Sequence, residues 1–414
     1  MTKPSVISLF TGAGGLDLGL HAAGLRTAVA VEMDKRCCET LRANVSRGYS
    51  WEVIERPVEV VTSAEILAAA RLVVGQADLL VGGPPCQPFS KSGFWASGDS
   101  GRLNDARANT LHEYLRVLED TLPKAFILEN VAGLNFSGKE EGYRLILDEI
   151  ERINSRKGTS YRVSSKVLNA AWFGVPQTRE RIILVGSREG ERFTFPDANF
   201  HADDDENLRL GGRSTYRTAW DALGDLAIPD NLDELKVRGR WAALLPSIPE
   251  GSNYLHHTER GAGLPLFGWR RRYWSFLLKL AKNRPSWTLT AQPGPAIGPF
   301  HWTSRRLSSR ELARLQTMPD GYVVVGSLAD AQRQIGNAVP SLLGEVLGRE
   351  VSRQLLSKRV PSGLPTLLPP AREDVPPPEA TTFVPAAYRT MAGFHEAHPG
   401  TGRGFGAMRR QPAA

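Results

Sequence analysis

Short apolar runs alternate with amphipathic segments through the first half of the chain. The runs "SVISLF", "TAVAVEMD", "ADLLVGG", "KAFILENV" and "RIILVG" have the length of buried strands, and helical patterns such as "NTLHEYLRVLEDTL" separate them. Buried strands that alternate with helices are typical of a parallel sheet covered on both faces. The pattern therefore predicts a doubly wound, mostly parallel α/β sheet, in which ligands bind at the carboxyl ends of the strands.

The regular pattern weakens after Gly186 and returns near the carboxyl end of the chain. We expect one domain built from residues 1–189 and 304–360, with a smaller, irregular domain rich in Trp, Pro, Gly and Arg at 190–303. Residues 361–414 are rich in proline, which predicts a disordered tail.

Charge and composition narrow the class of protein. The chain has 414 residues and a formal net charge of +7. It has no apolar run of membrane-spanning length and no apolar leader at its start, so a soluble, cytoplasmic protein is expected. Three consecutive arginines, 270–272, lie among Trp269, Tyr273 and Trp274. This mixture suits contacts to nucleic acid, although a solvated charged surface is the alternative.

The three cysteines do not form a disulfide framework. Cys37 and Cys38 are adjacent and fit a helix, which leaves Cys86 without a partner. No histidine or cysteine lies at zinc-ligand spacing from Cys86, so no metal is expected.

The first predicted strand leads into a glycine-rich turn. Four glycines in "LFTGAGGLDLG" allow the backbone to approach a ligand, and the following helix offers free N–H groups. Glu32 ends the next strand, where its carboxylate can accept hydrogen bonds from both hydroxyls of a ribose. Together these features indicate a nucleoside cofactor; a tight turn beside a surface glutamate is the alternative. Hydride transfer and methyl transfer both remain open at this point.

Cys86 lies in "VGGPPCQPFS", where two prolines present it at a strand end. A thiolate in that position is a strong nucleophile, although a buried structural cysteine is the alternative. Glu129 in "ILENV" can hydrogen-bond and protonate a ring nitrogen. Arg179 and Arg181 in "VPQTRERI" can anchor a phosphate or a base carbonyl and hold a carboxylate.

Taken in order, these motifs resemble those of the bacterial DNA cytosine-5 methyltransferases of restriction-modification systems. The motifs are "FTGAGGLDLG", "VEMD", "GGPPCQPFS", "ILENV", "VPQTRERI", "RELARLQTMPDGY" and "QIGNAVP", and the resemblance covers residues 5–355. It implies the class I S-adenosylmethionine-dependent fold, a target-recognition domain at 190–303 and a double-stranded DNA substrate. It also implies a monomer associated with the nucleoid and a cognate restriction endonuclease as functional partner, with an orphan regulatory methylase as the alternative.

The resemblance also assigns catalytic roles. Cys86 would attack carbon 6 of a cytosine flipped out of the duplex, and Glu129 would protonate its ring nitrogen. Arg181 would contact the base carbonyl, and Arg179 would support the adjoining loop. Carbon 5 would then take the methyl group of S-adenosylmethionine.

Further residues are assigned to the cofactor and to DNA on the same basis. The family reads the adenine amine with an aspartate, and counting back from Cys86 places that position at Glu65. The residues expected at the cofactor are Phe10, Thr11, Gly12, Gly14, Gly15, Leu16, Glu32, Met33, Glu65, Ile66, Pro85, Asn337 and Val339. Those expected at DNA are Gln87, Ser90, Thr288 and Leu289.

Three other functions are alternatives for these motifs. A transfer RNA cytosine-5 methyltransferase has the same fold, but the long segment at 190–303 favours DNA. A zinc nucleobase deaminase needs a second cysteine after the Pro-Cys pair, which "PPCQPFS" lacks. A DNA-binding regulator with a decayed active site is disfavoured because every expected catalytic side chain is present.

Overall fold

A computed structural model describes residues 3–85, 109–131, 141–202, 214–269 and 274–395. Cys86, Gln87 and Ser90 lie outside the described residues, as does the arginine run 270–272.

A seven-stranded sheet forms the centre of the molecule, in the order β3-β2-β1-β4-β5-β8-β6. The first five strands in this order are parallel, and β8 runs antiparallel to both β5 and β6. The sheet strands are β1 Ser5–Leu9, β2 Arg26–Glu32, β3 Glu52–Glu55, β4 Leu79–Gly82, β5 Ala125–Val131, β6 Arg162–Asn169 and β8 Glu180–Ser187. Two further two-stranded pairs are β7 Gln177–Thr178 with β11 Ser286–Trp287, and β9 Phe200–His201 with β10 Ser214–Thr215. The prediction of a doubly wound, mostly parallel sheet is confirmed.

Helices cover both faces of the sheet. Val6 packs in the core on one face and its neighbour Ile7 in the core on the other, as expected when successive side chains of a strand point in opposite directions. The α-helices are α1 Gly15–Ala22, α2 Lys35–Ala43, α3 Ser63–Ala70, α4 Asn109–Thr121, α5 Glu141–Lys157, α6 Ala219–Leu223, α7 Leu232–Leu235, α8 Ser309–Leu315, α9 Leu328–Asn337, α10 Ser341–Gln354 and α11 Ala386–Arg389. Short 3-10 helices occupy Val45–Arg47, Val58–Val60, Ala170–Phe173, Ala242–Ser247 and Tyr254–His257.

Helices α1 and α10 pack at backbone distance. A Cβ atom on Gly19 would lie 2.0 Å from the carbonyl oxygen of Ser341 and 2.5 Å from the nitrogen of Glu345. Only glycine permits this approach, so Gly19 fixes the helix that follows the glycine-rich turn against a helix from the end of the chain.

Between β8 and α8 the chain has little regular structure and forms its own apolar core. Leu245, Tyr254 and Phe300 are buried there, and Tyr388 from α11 completes the cluster. Leu289 and Trp302 instead join a third core that includes α8 and the loop after β1.

The structure corrects the expectation of a disordered tail for residues 361–395. The main-chain N–H of Arg372 donates to Asp221 at 2.7 Å, and the Glu379 carboxylate pairs with the buried Lys282 at 3.1 Å. Tyr388 is 8% exposed, and its hydroxyl donates to the carbonyl of Arg240 at 2.6 Å. Proline-rich composition misled the prediction because a few anchors order this segment along the irregular region.

None of the helices in the described part of the chain combines the length and apolar character needed to cross a membrane.

Candidate active site

The loop after β1 takes a left-handed path. Phe10, Gly12 and Gly14 have φ angles of 52°, 56° and 76°. No atom lies within 4 Å of the place where a Cβ on Gly12 would stand, so this side of the loop is open. Gly14 forms the N-cap of α1. The loop therefore offers bare backbone and open space at the carboxyl edge of the sheet.

Glu32 lies at the end of β2, beside this loop. Its Oε2 accepts the N–H of Gly12 at 2.7 Å, and its Oε1 accepts the N–H of Asp34 at 2.8 Å. Burial raises the pKa of the carboxyl, and these N–H groups oppose the shift. Each carboxylate oxygen has a second lone pair, so Glu32 can still accept ligand hydroxyls.

Asp17 was not singled out from the sequence, yet it connects three elements behind the loop. It is 1% exposed in α1 and accepts hydrogen bonds from Ser8 of β1 at 3.0 Å and Thr27 of β2 at 2.8 Å. Burial raises its pKa to about 6. An acidic residue inside an otherwise apolar helix pattern was the available signal.

Other residues expected at the cofactor vary in exposure. Met33 is exposed, Ile66 is fully buried, and Asn337 at the end of α9 has an exposed side chain. The backbone of Val339 packs directly against Gly15. Thr11 and Leu16 are both buried around the glycine turn.

The contacts of Glu65 do not favour its assignment to the adenine. Its carboxylate accepts hydrogen bonds from the main-chain N–H and the hydroxyl of Thr62, both at 2.9 Å, and pairs with Arg56 at 2.7 Å. The Arg56 hydrogen bond is the main cause that lowers the pKa of Glu65 to about 2. Glu65 therefore serves as a helix cap in α3. The loop at 56–58 directly follows β3 and so lies at the ligand-binding edge of the sheet. Counting residues back from Cys86 pointed to Glu65 and not to this loop.

Glu129 and Arg181 form an ion pair next to Gly83. The Nε of Arg181 lies 2.8 Å from Oε1 of Glu129, and both side chains are largely buried. They lie diagonally across the antiparallel β5–β8 pair, where Arg181 is in register with Val131. A Cβ on Gly83 would stand 2.8 Å from Oε2 of Glu129. Gly83 therefore allows the strand end that leads to Pro85 to lie against the carboxylate.

Arg179 is buried and only partly satisfied. Its Nη2 donates to the carbonyl of Gly336 at 3.1 Å, while Nε and Nη1 have no hydrogen-bond partner among the described residues. Burial, with a smaller effect from Arg181, lowers the pKa of the guanidinium to about 9. A buried cation with two spare donors indicates an acceptor supplied from elsewhere.

Gln177 in β7 connects the site to the irregular region through the hydrogen bonds of its side chain. Its side chain is fully buried, donates to Gln316 at 3.0 Å and accepts from the N–H of Leu289 at 3.1 Å. Thr288 is exposed and its hydroxyl donates to the carbonyl of Thr178 at 2.7 Å. Leu289 is 1% exposed, so its side chain lies in the core.

The two described cysteines are not candidate nucleophiles. Cys37 and Cys38 lie in α2, which confirms their prediction as helix residues, and burial raises the pKa of each thiol, that of Cys38 to about 12. The Sγ of Cys38 donates to the carbonyl of Glu32 at 3.3 Å. Within the described ranges, His, Cys, Asp and Glu side chains form no cluster of three or more that would hold a metal ion.

Comparison with known protein families shows which family the chain belongs to. The family model for the C-5 cytosine-specific DNA methylase matches residues 5–353. The chain belongs to the C-5 cytosine-specific DNA methylases. It is therefore a DNA cytosine-5 methyltransferase, and S-adenosylmethionine is the general methyl donor of this family and fold.

Curated relatives and solved structures agree with this membership. The methylase is 38% identical to the Type II methyltransferase M.SacI of Streptomyces achromogenes, over 84% of this chain and 93% of the relative. It is 34% identical to M.NgoFVII of Neisseria gonorrhoeae, over 82% and 83%. Its fold resembles that of a putative DNA modification methyltransferase from an Escherichia coli prophage, with a TM-score of 0.59 and 24% identity over 86% of this chain and 100% of the other. Spodoptera frugiperda DNMT2 has a TM-score of 0.55 and 14% identity over 84% and 99%.

The residues at the sheet edge fit the methyl donor. Gly12 leaves room for a ligand against bare backbone, and the Glu32 carboxylate can accept further hydrogen bonds. Asn337 has an exposed side chain and lies two residues before Val339, whose backbone packs against Gly15. These features suit a nucleoside with a charged amino-acid tail.

Proposed function

We propose that this methylase modifies carbon 5 of cytosine within a short double-stranded DNA word, through a covalent bond between Cys86 and a flipped-out base. The observation that carries the proposal is the Glu129–Arg181 pair, 2.8 Å apart, packed against Gly83 in the loop that leads to Cys86. A carboxyl group and a guanidinium so arranged can grip the ring-nitrogen edge and the carbonyl of one pyrimidine.

In this mechanism the Cys86 thiolate forms a bond to carbon 6 of the cytosine. The carbon 5–carbon 6 double bond breaks, a carbon 4–carbon 5 double bond forms, and the ring nitrogen takes a proton from the Glu129 carboxyl group. Arg181 stays on the Glu129 carboxylate and donates to the base carbonyl, which keeps the ring in one orientation.

S-adenosylmethionine supplies the electrophilic methyl group when bound. We assign Phe10 to the adenine, Gly12 and Gly14 to the methionine part, and Glu32 to the ribose hydroxyls. Carbon 5 would take that methyl group and then lose its own proton to water. The sulfur–carbon 6 bond breaks to restore the thiolate and the carbon 5–carbon 6 double bond, and the ring nitrogen returns its proton to Glu129.

Arg179 is assigned to the loop around Cys86. Its two unpartnered nitrogens would donate to main-chain carbonyls of that loop or to a DNA phosphate once the duplex binds. Base flipping is required because both faces of a stacked cytosine are covered in a duplex.

A role in restriction-modification follows from the relatives named as Type II methyltransferases. We propose that the methyl mark protects host DNA from a cognate endonuclease.

The test is base-resolution mapping of 5-methylcytosine in plasmid DNA from cells that express wild-type protein, Cys86→Ala or Glu129→Gln. Methylation at one recurring word, abolished in the Cys86 variant and strongly reduced in the Glu129 variant, supports the proposal. Duplexes with 5-fluorocytosine at the target should trap wild-type protein covalently, because fluorine blocks the final proton loss. Methylation that survives in Cys86→Ala would refute the covalent mechanism.

A further inference from the structure

Trp274 presents an aromatic ring to solvent in the irregular region. It is 48% exposed, whereas Trp51 and Trp302 are only 5% and 6% exposed. It follows the arginine run 270–272 in the sequence, so a basic segment precedes it. Tryptophan and arginine are both enriched at the residues that dominate binding, so an exposed tryptophan that follows an arginine run in the sequence is a candidate contact.

The position of Trp274 is fixed by its neighbours. Its carbonyl accepts a hydrogen bond from Nδ2 of Asn253 at 2.8 Å, and Asn253 is itself 3% exposed. Its ring packs against that of Trp287, with centroids 6.2 Å apart and planes inclined at 48°. The buried amide of Asn253 therefore fixes the backbone of Trp274, and the indole of Trp287 supports its ring.

A short series of contacts connects this ring to the candidate catalytic strand. Trp287 belongs to β11 and is in register with Thr178 of β7. Thr178 directly precedes Arg179, and the Thr288 hydroxyl donates to the Thr178 carbonyl at 2.7 Å. Trp287 and β7 thus connect Trp274 to the start of β8, where Arg179 and Arg181 lie.

We propose that Trp274 stacks on a base of the duplex next to the target cytosine and so stabilises the flipped-out state. Stacking of an indole on a base replaces part of the stacking that the departing cytosine gives up. The inference rests on the proposed function, because it requires a flipped base at the Glu129–Arg181 pair. Trp274 is a positioning residue, since it touches DNA and not the reacting atoms.

The experiment compares Trp274→Ala, Trp274→Phe and wild-type protein on short duplexes that contain the mapped target word. Phe383→Ala is the matched control, because Phe383 is an aromatic residue that is 92% exposed on the tail. Kcat and KM for DNA are measured by methyl transfer, and extrusion is followed by the fluorescence of 2-aminopurine at the target position. Each variant is also assayed on a duplex in which the target cytosine faces an abasic site, where flipping is easier.

We expect Trp274→Ala to lower kcat/KM for DNA roughly ten- to a hundredfold and to reduce the 2-aminopurine signal, because base–aromatic stacking supplies on this order of stabilisation. Trp274→Phe should retain most activity, Phe383→Ala should match wild type, and the abasic duplex should largely restore Trp274→Ala. Unchanged kcat/KM in Trp274→Ala would overturn the inference, and so would a loss that the abasic duplex does not restore. If wild-type protein itself fails to methylate any duplex while binding S-adenosylmethionine, the proposed function fails instead.

Discussion

Gly83→Ala tests how tightly the candidate active site is packed. The added Cβ would stand 2.8 Å from Oε2 of Glu129, whereas ordinary contacts of this kind begin at 3.4 Å. Glu129 or the 83–85 backbone must therefore move by about 0.6 Å. Glu129 cannot rotate freely, because Arg181 holds its other oxygen at 2.8 Å.

The expected loss falls on catalysis and not on folding. A misplacement of about 1 Å costs on the order of a hundredfold in rate, so a shift of about 0.6 Å should lower kcat roughly tenfold. Stability should fall by only about 1 kcal/mol, the low end of the cost of overpacking, because the displaced atom is the end of a side chain.

The assay measures kcat and KM by transfer of a labelled methyl group, with calorimetry for S-adenosylmethionine binding and thermal unfolding for stability. Cofactor affinity should stay at the wild-type value if only Glu129 moves, whereas weaker binding would show that the backbone up to Pro85 has shifted. A Gly83→Ala protein with unchanged kcat would refute the reasoning, since it would show that catalysis tolerates this displacement.

Three further changes test the scaffold. Gly19→Ala should destabilise the protein by about 3 kcal/mol in urea unfolding, because its Cβ would meet the α10 backbone at 2.0 Å, while Gly321→Ala, with nothing within 4 Å, should match wild type. Asp17→Asn should remove a pH dependence of stability, because burial raises the pKa of Asp17 from 3.8 to about 6. As pH rises from about 4 to 7, the free energy of unfolding of the wild-type protein should fall by about 2 to 3 kcal/mol relative to the variant. The same pH dependence of stability in both proteins would contradict this. Tyr388→Ala should cost about 3 kcal/mol and expose the tail to limited proteolysis, because Tyr388 is 8% exposed in the core of the irregular region; unchanged cleavage would show that the tail is not anchored there.

The central strands were predictable from the sequence, and the edge strands were not. Runs such as "ADLLVGG" are buried on both faces and therefore apolar throughout. Strands β3 and β6 lie at the two edges of the sheet, expose many side chains and carry a mixed pattern that does not stand out. The reversed direction of β8 was equally hidden, because a buried strand has the same composition whichever way it runs.

Within the candidate site, strand-end residues were predictable and local contacts were not. Glu32 ends β2, Glu129 lies near the end of β5, and Arg181 lies near the start of β8, so position at a strand end singles them out. Residue type could not show that Glu65 caps a helix through Thr62. Nor could it show that Leu289, next to the exposed Thr288, faces the core.

The close contact between α1 and α10 has a consequence for biosynthesis. The helix that follows the glycine-rich loop packs on residues that begin at Ser341, about 320 positions later in the chain. At roughly 5–20 residues per second, translation needs on the order of half a minute to supply that partner. Until then the apolar side chains of Leu16 and Leu20 have no cover from α10. The glycine-rich turn of the nascent enzyme should therefore reach its final packing only after α10 has been synthesised.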